Sequence, residues 1–277
     1  MPQDLYRNRD FIPDFDEIIA ETAARSREFS RRADIRADVA YGPGPRERMD
    51  IMFPPRIAKG APLHMFIHGG YWRSGSKEDH RLIAAPVLAA GGIAAIVTYD
   101  LMPGTRLDAI VAQVRAAARH LVAMAPDLGA DATRLTASGH SAGAHLASYL
   151  AATSPQENAS PDLPALKGLL LVSGIYDLTD IPDSFLKYEA KMTPAEASAW
   201  SPLTSRHLDG PRRIIMLGEM DTAPFHVQGQ QFASLLKRNT PEGELRIEAG
   251  LNHLTIVLAL GDPKSPAGLC LSQLVGE

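Results

Sequence analysis

The pentapeptide Gly139-His140-Ser141-Ala142-Gly143 fits the pattern Gly-x-Ser-x-Gly. A serine hydroxyl is a weak nucleophile until it is held beside a base and pushed out of its backbone on a tight turn. Glycines two positions to either side let a strand and a helix pass closely at such a turn, so Ser141 is the candidate nucleophile. The helix that follows aims its first amides at a developing oxyanion, with the amide of Ala142 placed to donate. A second cluster, His68-Gly69-Gly70-Tyr71-Trp72, directly follows the apolar run Leu63–Ile67. Its small residues let backbone amides approach a carbonyl, which makes Gly69 and Gly70 candidates for the other half of an oxyanion hole. Tyr71 and Trp72 either line an aromatic substrate pocket or pack at the base of that loop.

A serine nucleophile needs a base, and the base needs an orienting carboxylate. The chain order expected on a strand–turn–helix scaffold of this kind is serine, acid, histidine. Of the nine histidines, His226 and His253 lie in the region after the later strand runs. His226 falls in the helical stretch Pro224–Leu236, where a packing or surface role is expected. His253, in Gly250-Leu251-Asn252-His253, follows a strand run and is the candidate base. Asp221 and Asp177 each follow a strand run and are the candidate acids, with Glu219 a third. Asp221 is favoured because its loop immediately precedes the strand leading to the histidine. The spacings of 80 residues from Ser141 to Asp221 and 32 from Asp221 to His253 leave room for the intervening elements.

These residues need a sheet to hold them. Met49–Phe53 alternates and is stopped by Pro54-Pro55, as an antiparallel strand would be. Leu63–Ile67, Ile93–Thr98, Arg134–Ser138, Leu169–Val172 and Ile214–Leu217 are mainly apolar runs that suit parallel strands covered on both faces. Leu245–Glu248 alternates and reads as a last strand. Helical spacing runs over Leu107–Met124, with Ile110, Val114, Leu121 and Val122 on one side, and His145–Ala152 has helical character. Strands alternating with helices imply an α/β fold, a mostly parallel central sheet with helices on both faces. Residues 1–40 are charged and helix-tolerant, and are expected to form a helical segment lying on the core, with a flap over the site as the alternative. Residues 181–205, punctuated by Pro182, Pro194 and Pro202, read as a small inserted cap. The positions 68, 141, 221 and 253 spread the chemistry along most of the chain, so residues 1–277 are expected to form a single domain.

The 277 residues carry 28 Lys plus Arg against 32 Asp plus Glu, a formal charge of −4. No basic stripe suggests nucleic acid as a partner. The one cysteine, Cys270, excludes an internal disulfide and a Cys-x-x-Cys zinc site, and makes a reducing compartment the expectation. No metal is expected, because His140 and His145 are five apart with no acidic partner to complete a ligand set. The first residues are charged where a signal peptide needs an apolar run, and the longest apolar stretches are too short to cross a bilayer. A cytoplasmic protein without membrane contact is therefore expected, and a homodimer is compatible with the sequence.

Taken together, His68-Gly69-Gly70-Tyr71-Trp72, the octapeptide from Gly139 to Leu146, Ser173-Gly174-Ile175-Tyr176-Asp177-Leu178 and Asn252-His253 resemble the kynurenine formamidase (arylformamidase) branch of the α/β-hydrolase esterases. The likeness runs from about Tyr41 to the C-terminus, and Tyr6–Asn8 with Pro13 extends it upstream. It implies the α/β-hydrolase fold, Ser141 as nucleophile, Asp221 as acid, His253 as base, and oxyanion donors from Gly69, Gly70 and Ala142. It implies no cofactor. Where the family tends to carry Phe-x-Arg-Gln-Ser after the acid, this chain has Phe225-His226-Val227-Gln228-Gly229, lacking the arginine and the serine. The expected activity is hydrolysis of a small aryl or acyl formamide, N-formylkynurenine-like, or of a carboxylic ester through an acyl-enzyme. The alternatives are a general small-substrate carboxylesterase and a non-catalytic ligand-binding protein on the same fold.

Overall fold

Alternate residues of one apolar run face opposite sides of a sheet, and here both sides are covered. In the computed structural model, which describes residues 3–159, 161–239 and 243–277, Leu169 and Leu171 enter one hydrophobic cluster while Leu170 and Val172 enter another. Ten strands are present among the described residues: β1 (Asp34–Ala40), β2 (Arg48–Phe53), β3 (Ala61–Ile67), β4 (Ile93–Val97), β5 (Ala130–His140), β6 (Ala152–Thr153), β7 (Gly168–Val172), β8 (Arg206–His207), β9 (Arg212–Gly218) and β10 (Gly243–Glu248). Eight of them form one sheet in the order β1-β2-β4-β3-β5-β7-β9-β10, and β6 pairs with β8 in a separate ribbon. The pairs β1–β2 and β2–β4 are antiparallel and the other pairs of the large sheet are parallel.

The helices are α1 (Phe15–Ser30), α2 (Ala84–Ala89), α3 (Leu107–Leu128), α4 (Ala142–Ser148), α5 (Pro194–Ala199), α6 (Ala223–Asn239), α7 (Thr255–Leu260) and α8 (Pro266–Gly276). One face of the sheet packs on α3, α4 and α6 through residues such as Ile110, Leu146 and Phe232. The other packs on α2, α7 and α8 through Val87, Ile256 and Leu271. Helix α3 runs past Met124 and through Pro126 to Leu128, where Gly129 in the left-handed conformation ends it. Helix α4 starts three residues before the expected His145, directly behind Ser141. None of the helices, among the described residues, is long and apolar enough to cross a membrane.

Residues 1–40 depart from the helical segment expected. Helix α1 is present, but residues 34–40 form β1, the edge strand. An edge strand with little buried surface needs few apolar residues, and only Ile35 and Val39 of β1 are aliphatic and half-buried. Its pairing with β2 shifts register between Arg36 and Val39, which further blurs the alternation. Residues 181–205 form three short 3₁₀ turns and α5. Glu196 of α5 fastens this segment by pairing with Arg106 and accepting the Leu107 amide at 2.8 Å, at the start of α3.

A buried ion network fixes the segment after the Gly69-Gly70 loop. Asp50 on β2 is fully buried and receives Arg81 at 2.6 Å and Lys77 at 3.1 Å, and accepts the Asp38 amide at 2.9 Å. Lys77 also reaches Asp38 and Glu78. Asp50→Ala leaves Lys77 without its buried partner, and a loss of about 3–5 kcal/mol is expected. Asp38→Asn, which keeps a side chain tolerant of the positive φ at this position, removes only the charge of an exposed partner and is expected to cost under about 1 kcal/mol. Urea unfolding of the two variants checks the contrast, and equal costs would contradict this account.

Candidate active site

Strand β5 lies between β3 and β7 and ends at His140. The chain turns at Ser141, whose φ of 56° and ψ of −121° place it in a region that side-chain-bearing residues seldom adopt. A Cβ on Gly143 would lie 2.1 Å from the Ile67 carbonyl oxygen, and one on Gly139 would lie 2.2 Å from the Gly143 carbonyl oxygen. Only glycine at both positions lets α4 sit this close to β3 and β5. The Ser141 amide is tied to the Val172 carbonyl at 2.8 Å, which pins the turn to the neighbouring strand.

Parallel pairing of β9 and β10 brings the two remaining loops together. Glu219 N donates to Glu248 O at 3.0 Å and Met220 N to Leu251 O at 2.9 Å. Asp221 thereby meets His253: Nδ1 of His253 donates to Asp221 Oδ1 at 2.9 Å, and Nε2 accepts the Ser141 hydroxyl at 3.0 Å. The side chains of His253 and Asp221 are almost completely buried. Asn252 caps the following turn, its Oδ1 accepting the amides of Leu254 and Thr255, each at 2.9 Å, which orients the residue between them.

The second carboxylate oxygen of Asp221 accepts the Ser173 hydroxyl at 2.6 Å and the Gly218 amide at 2.9 Å. Burial alone pushes this carboxyl up. The hydrogen bonds from His253, Ser173 and Gly218 outweigh it and hold the group below the ordinary value of 3.8. Behind His253, His140 Nε2 donates to the His253 carbonyl at 2.7 Å, and Phe225 packs on the His253 ring at 4.4 Å. Burial, reinforced by His253 and His80, keeps His140 well below the ordinary histidine range, so it stays neutral.

The other candidates of the sequence are engaged elsewhere. Asp177 closes a local turn, its Oδ1 accepting the Thr179 amide and hydroxyl. Glu219 is exposed and accepts the Gly250 amide. His226 is half-buried on α6 with Nε2 on the Glu219 carbonyl. His145 lies under the loop, bonded to Trp72 and to the Trp200 carbonyl, and shares no ligand position with His140. Among the described residues no group of three or more His, Cys, Asp or Glu is placed to hold a metal ion. Cys270 is buried in α8.

Beside Ser141 lies a cavity of about 540 Å³ bordered by Gly69, Gly70, Tyr71, His140 and His253. The Gly69 and Gly70 carbonyls are turned into other contacts, the first accepting from His68 Nδ1 at 2.7 Å and the second from the amides of Arg73 and Ser74. Burial lowers His68 to about 3, so a neutral ring makes that contact. Ala142 is the first residue of α4, whose amide has no intrahelical acceptor. No acceptor among the described residues takes the amides of Gly69, Gly70 or Ala142.

Tyr71 borders the cavity, but Trp72 does not. It is completely buried, with its indole donating to His145 at 3.2 Å, so the packing alternative applies to it. Both residues have positive φ, and their rings meet edge to face with centroids 6.4 Å apart. Helix α1, expected to lie on the core, also walls the cavity with Phe15, Ile19 and Thr22, and the 181–205 segment adds Phe185 and Glu189. Ser173, Arg7 and Asn8 entered the sequence reading only as parts of the resemblance, with no role given to them, and Arg9 did not enter it. For Ser173 a signal existed, since it is the first residue beyond a buried parallel strand, at the edge of the sheet where ligands bind.

The BD-FAE family model matches residues 49–236. The kynurenine formamidase of Salmo salar is 30% identical over 276 residues, spanning 95% of this chain and 90% of that protein. The kynurenine formamidase of Danio rerio is 29% identical over 248 residues, 87% of this chain and 82% of its own. The structure of the Pyrobaculum calidifontis esterase superposes with a TM-score of 0.73 at 19% identity, covering 99% of this chain and 93% of that one, and is a likeness of fold.

The folded Asp221 carboxyl titrates below its unfolded value, so the unfolded chain takes up this proton first. The stabilisation is complete above about pH 5 and is lost as the pH falls through the folded value. Asp221→Asn is therefore expected to flatten the acid limb of the stability profile. Urea unfolding of wild type and variant from about pH 6 to 3 checks this, and identical slopes would contradict it.

Proposed function

Because the chain belongs to the BD-FAE family and to the kynurenine formamidase-like esterase branch of the α/β-hydrolases, we propose that it is a serine hydrolase acting on a small aryl or acyl formamide, N-formylkynurenine-like, or on a carboxylic ester. The observation that carries this reading is the continuous hydrogen-bonded chain Ser141–His253–Asp221 opening into a cavity bordered by Gly69 and Gly70, whose amides, like that of Ala142, are taken by no acceptor among the described residues. His253 Nε2 takes the hydroxyl proton as Ser141 Oγ attacks the carbonyl carbon. Asp221 holds the Nδ1 proton and stabilises the imidazolium that forms. The tetrahedral oxyanion is met by the amides of Gly69, Gly70 and Ala142, each worth roughly 3 kcal/mol in the transition state. His253 passes its proton to the departing amine or alcohol, leaving an acyl group on Ser141. Water deprotonated by His253 then attacks this acyl-enzyme, and the acid leaves with Ser141 restored.

The walls support this substrate class. A cavity of about 540 Å³ suits one small molecule. Phe15, Ile19, Tyr71, Phe185 and Val257 give it an aromatic and aliphatic lining fit for an aryl group. We read residues 1–277 as one α/β-hydrolase domain whose 181–205 segment is a small cap. The unpaired, buried Cys270 is in keeping with a cytoplasmic location.

Ser141→Ala is expected to lower kcat by about 10⁴-fold or more and to abolish labelling by a fluorophosphonate, while the circular dichroism spectrum stays that of wild type. Labelling of the variant at full stoichiometry overturns the assignment of the nucleophile. Comparing kcat/KM for N-formylkynurenine with that for p-nitrophenyl acetate separates formamide from ester specificity, and no turnover of either, nor of a wider ester and formanilide panel, favours the ligand-binding alternative.

A further inference from the structure

Gly70, Tyr71 and Trp72 are three successive residues with positive φ, 111°, 51° and 59°. Glycine accepts this freely, and at position 70 a Cβ would also lie 2.3 Å from the Ser74 carbonyl oxygen. For the two aromatic residues the left-handed region is disfavoured, so the surroundings must hold them there. Trp72 is held by the core: its side chain is completely buried, its indole bonds His145, and its carbonyl accepts the Met102 amide at 2.8 Å. Tyr71 is held differently. Its hydroxyl donates to the Tyr6 carbonyl and accepts from Asn8 Nδ2 at 3.4 Å, and its ring meets the edge of Phe185 at 5.3 Å.

The N-terminal strap that supplies those partners is itself anchored around the same site. Thr222, next to Asp221, donates its hydroxyl to the Leu5 carbonyl at 2.6 Å. Gln228 donates to the Tyr6 hydroxyl at 2.9 Å, and Asp4 accepts the Phe185 amide. The Tyr6 ring packs on Phe225, which packs on His253. Burial, with Asp4 nearby, raises the Tyr71 phenol well above 10, so it remains a proton donor at any working pH.

We propose that Tyr71 is a positioning residue, its hydroxyl clamped to the backbone of the N-terminal strap so that the strained loop keeps the Gly69 and Gly70 amides facing the reacting carbonyl. This rests on the serine hydrolase reading and adds to it a mechanical link between the N-terminal strap and the oxyanion donors. The Gly69 carbonyl is held by His68, and a planar trans peptide turns the Gly70 N–H to the opposite side. Relaxation of Tyr71 toward negative φ would swing the turn that begins at Gly70 and misplace that donor. Displacements of this order weaken transition-state contacts more than substrate binding.

The test uses full-length Tyr71→Phe, which keeps the ring and its packing on Phe185, and Thr222→Val, which loosens the strap without touching the loop. Tyr71→Phe is expected to lower kcat and the rate of fluorophosphonate labelling by about 10- to 100-fold with KM within about threefold. Thr222→Val is expected to lower the same two quantities by less. In the double variant its effect should vanish, because the link it acts through is already cut. Unchanged kcat in Tyr71→Phe, an effect confined to KM, or full additivity of the two substitutions would each overturn the proposal. Failure of the wild-type chain to label or turn over would overturn the hydrolase reading and this inference with it, whereas a labelled wild type with an equally reactive Tyr71→Phe overturns this inference alone.

Discussion

The left-handed backbone of Ser141 sets the terms for everything around it. A residue at φ 56° persists only where its neighbours leave no other place for the chain to go. Here β5 is central, paired with β3 on one side and β7 on the other, so its end cannot drift. The amide of Ser141 is taken by Val172, and α4 is driven against β3 through the two glycines. The same squeeze brings the end of β3, and therefore the Gly69-Gly70 loop, beside the serine. The candidate nucleophile and the strand end that leads into two of its candidate oxyanion donors thus share one packing contact.

Asp221 and His253 meet under a second constraint, the burial of a charge. A carboxylate removed from water is costly unless every oxygen is matched. Asp221 meets this with three donors at one edge of the sheet: Gly218 at the end of its own strand β9, Ser173 just beyond β7 and His253 beyond β10. Those donors lower its pKa against the effect of burial and fix the orientation in which His253 presents Nε2 to Ser141. The histidines around this centre, His68 and His140, are kept neutral by their burial. They serve as single donors to backbone carbonyls, so no second positive charge competes for Asp221.

The cavity is completed by the most peripheral parts of the chain. The strap before α1, α1 itself and the 181–205 segment wall a space that the sheet leaves open. Each is fastened by a few side-chain contacts to backbone: Ser26 to the Asp79 carbonyl, Thr222 to the Leu5 carbonyl, Asp4 to the Phe185 amide. Such walls, held by single hydrogen bonds, are more easily altered than the strands.

The sequence by itself determined seven of the eight strand runs of the central sheet, the serine in its glycine frame, and the candidates for serine, acid and histidine in their expected chain order. These signals are local: periodicity, turn chemistry and short motifs act over a few residues. Chain position favoured Asp221 over Asp177 and Glu219, but tertiary structure decided that its carboxylate is the one that reaches His253. It also decided that Ser173 braces that carboxylate, that Tyr71 faces the cavity while Trp72 is swallowed by the core, and that residues 34–40 become an edge strand. Each of these depends on contacts between segments far apart in the chain, where a single hydrogen bond such as Ser173 to Asp221, across 48 residues, selects one arrangement among several with equal local propensity.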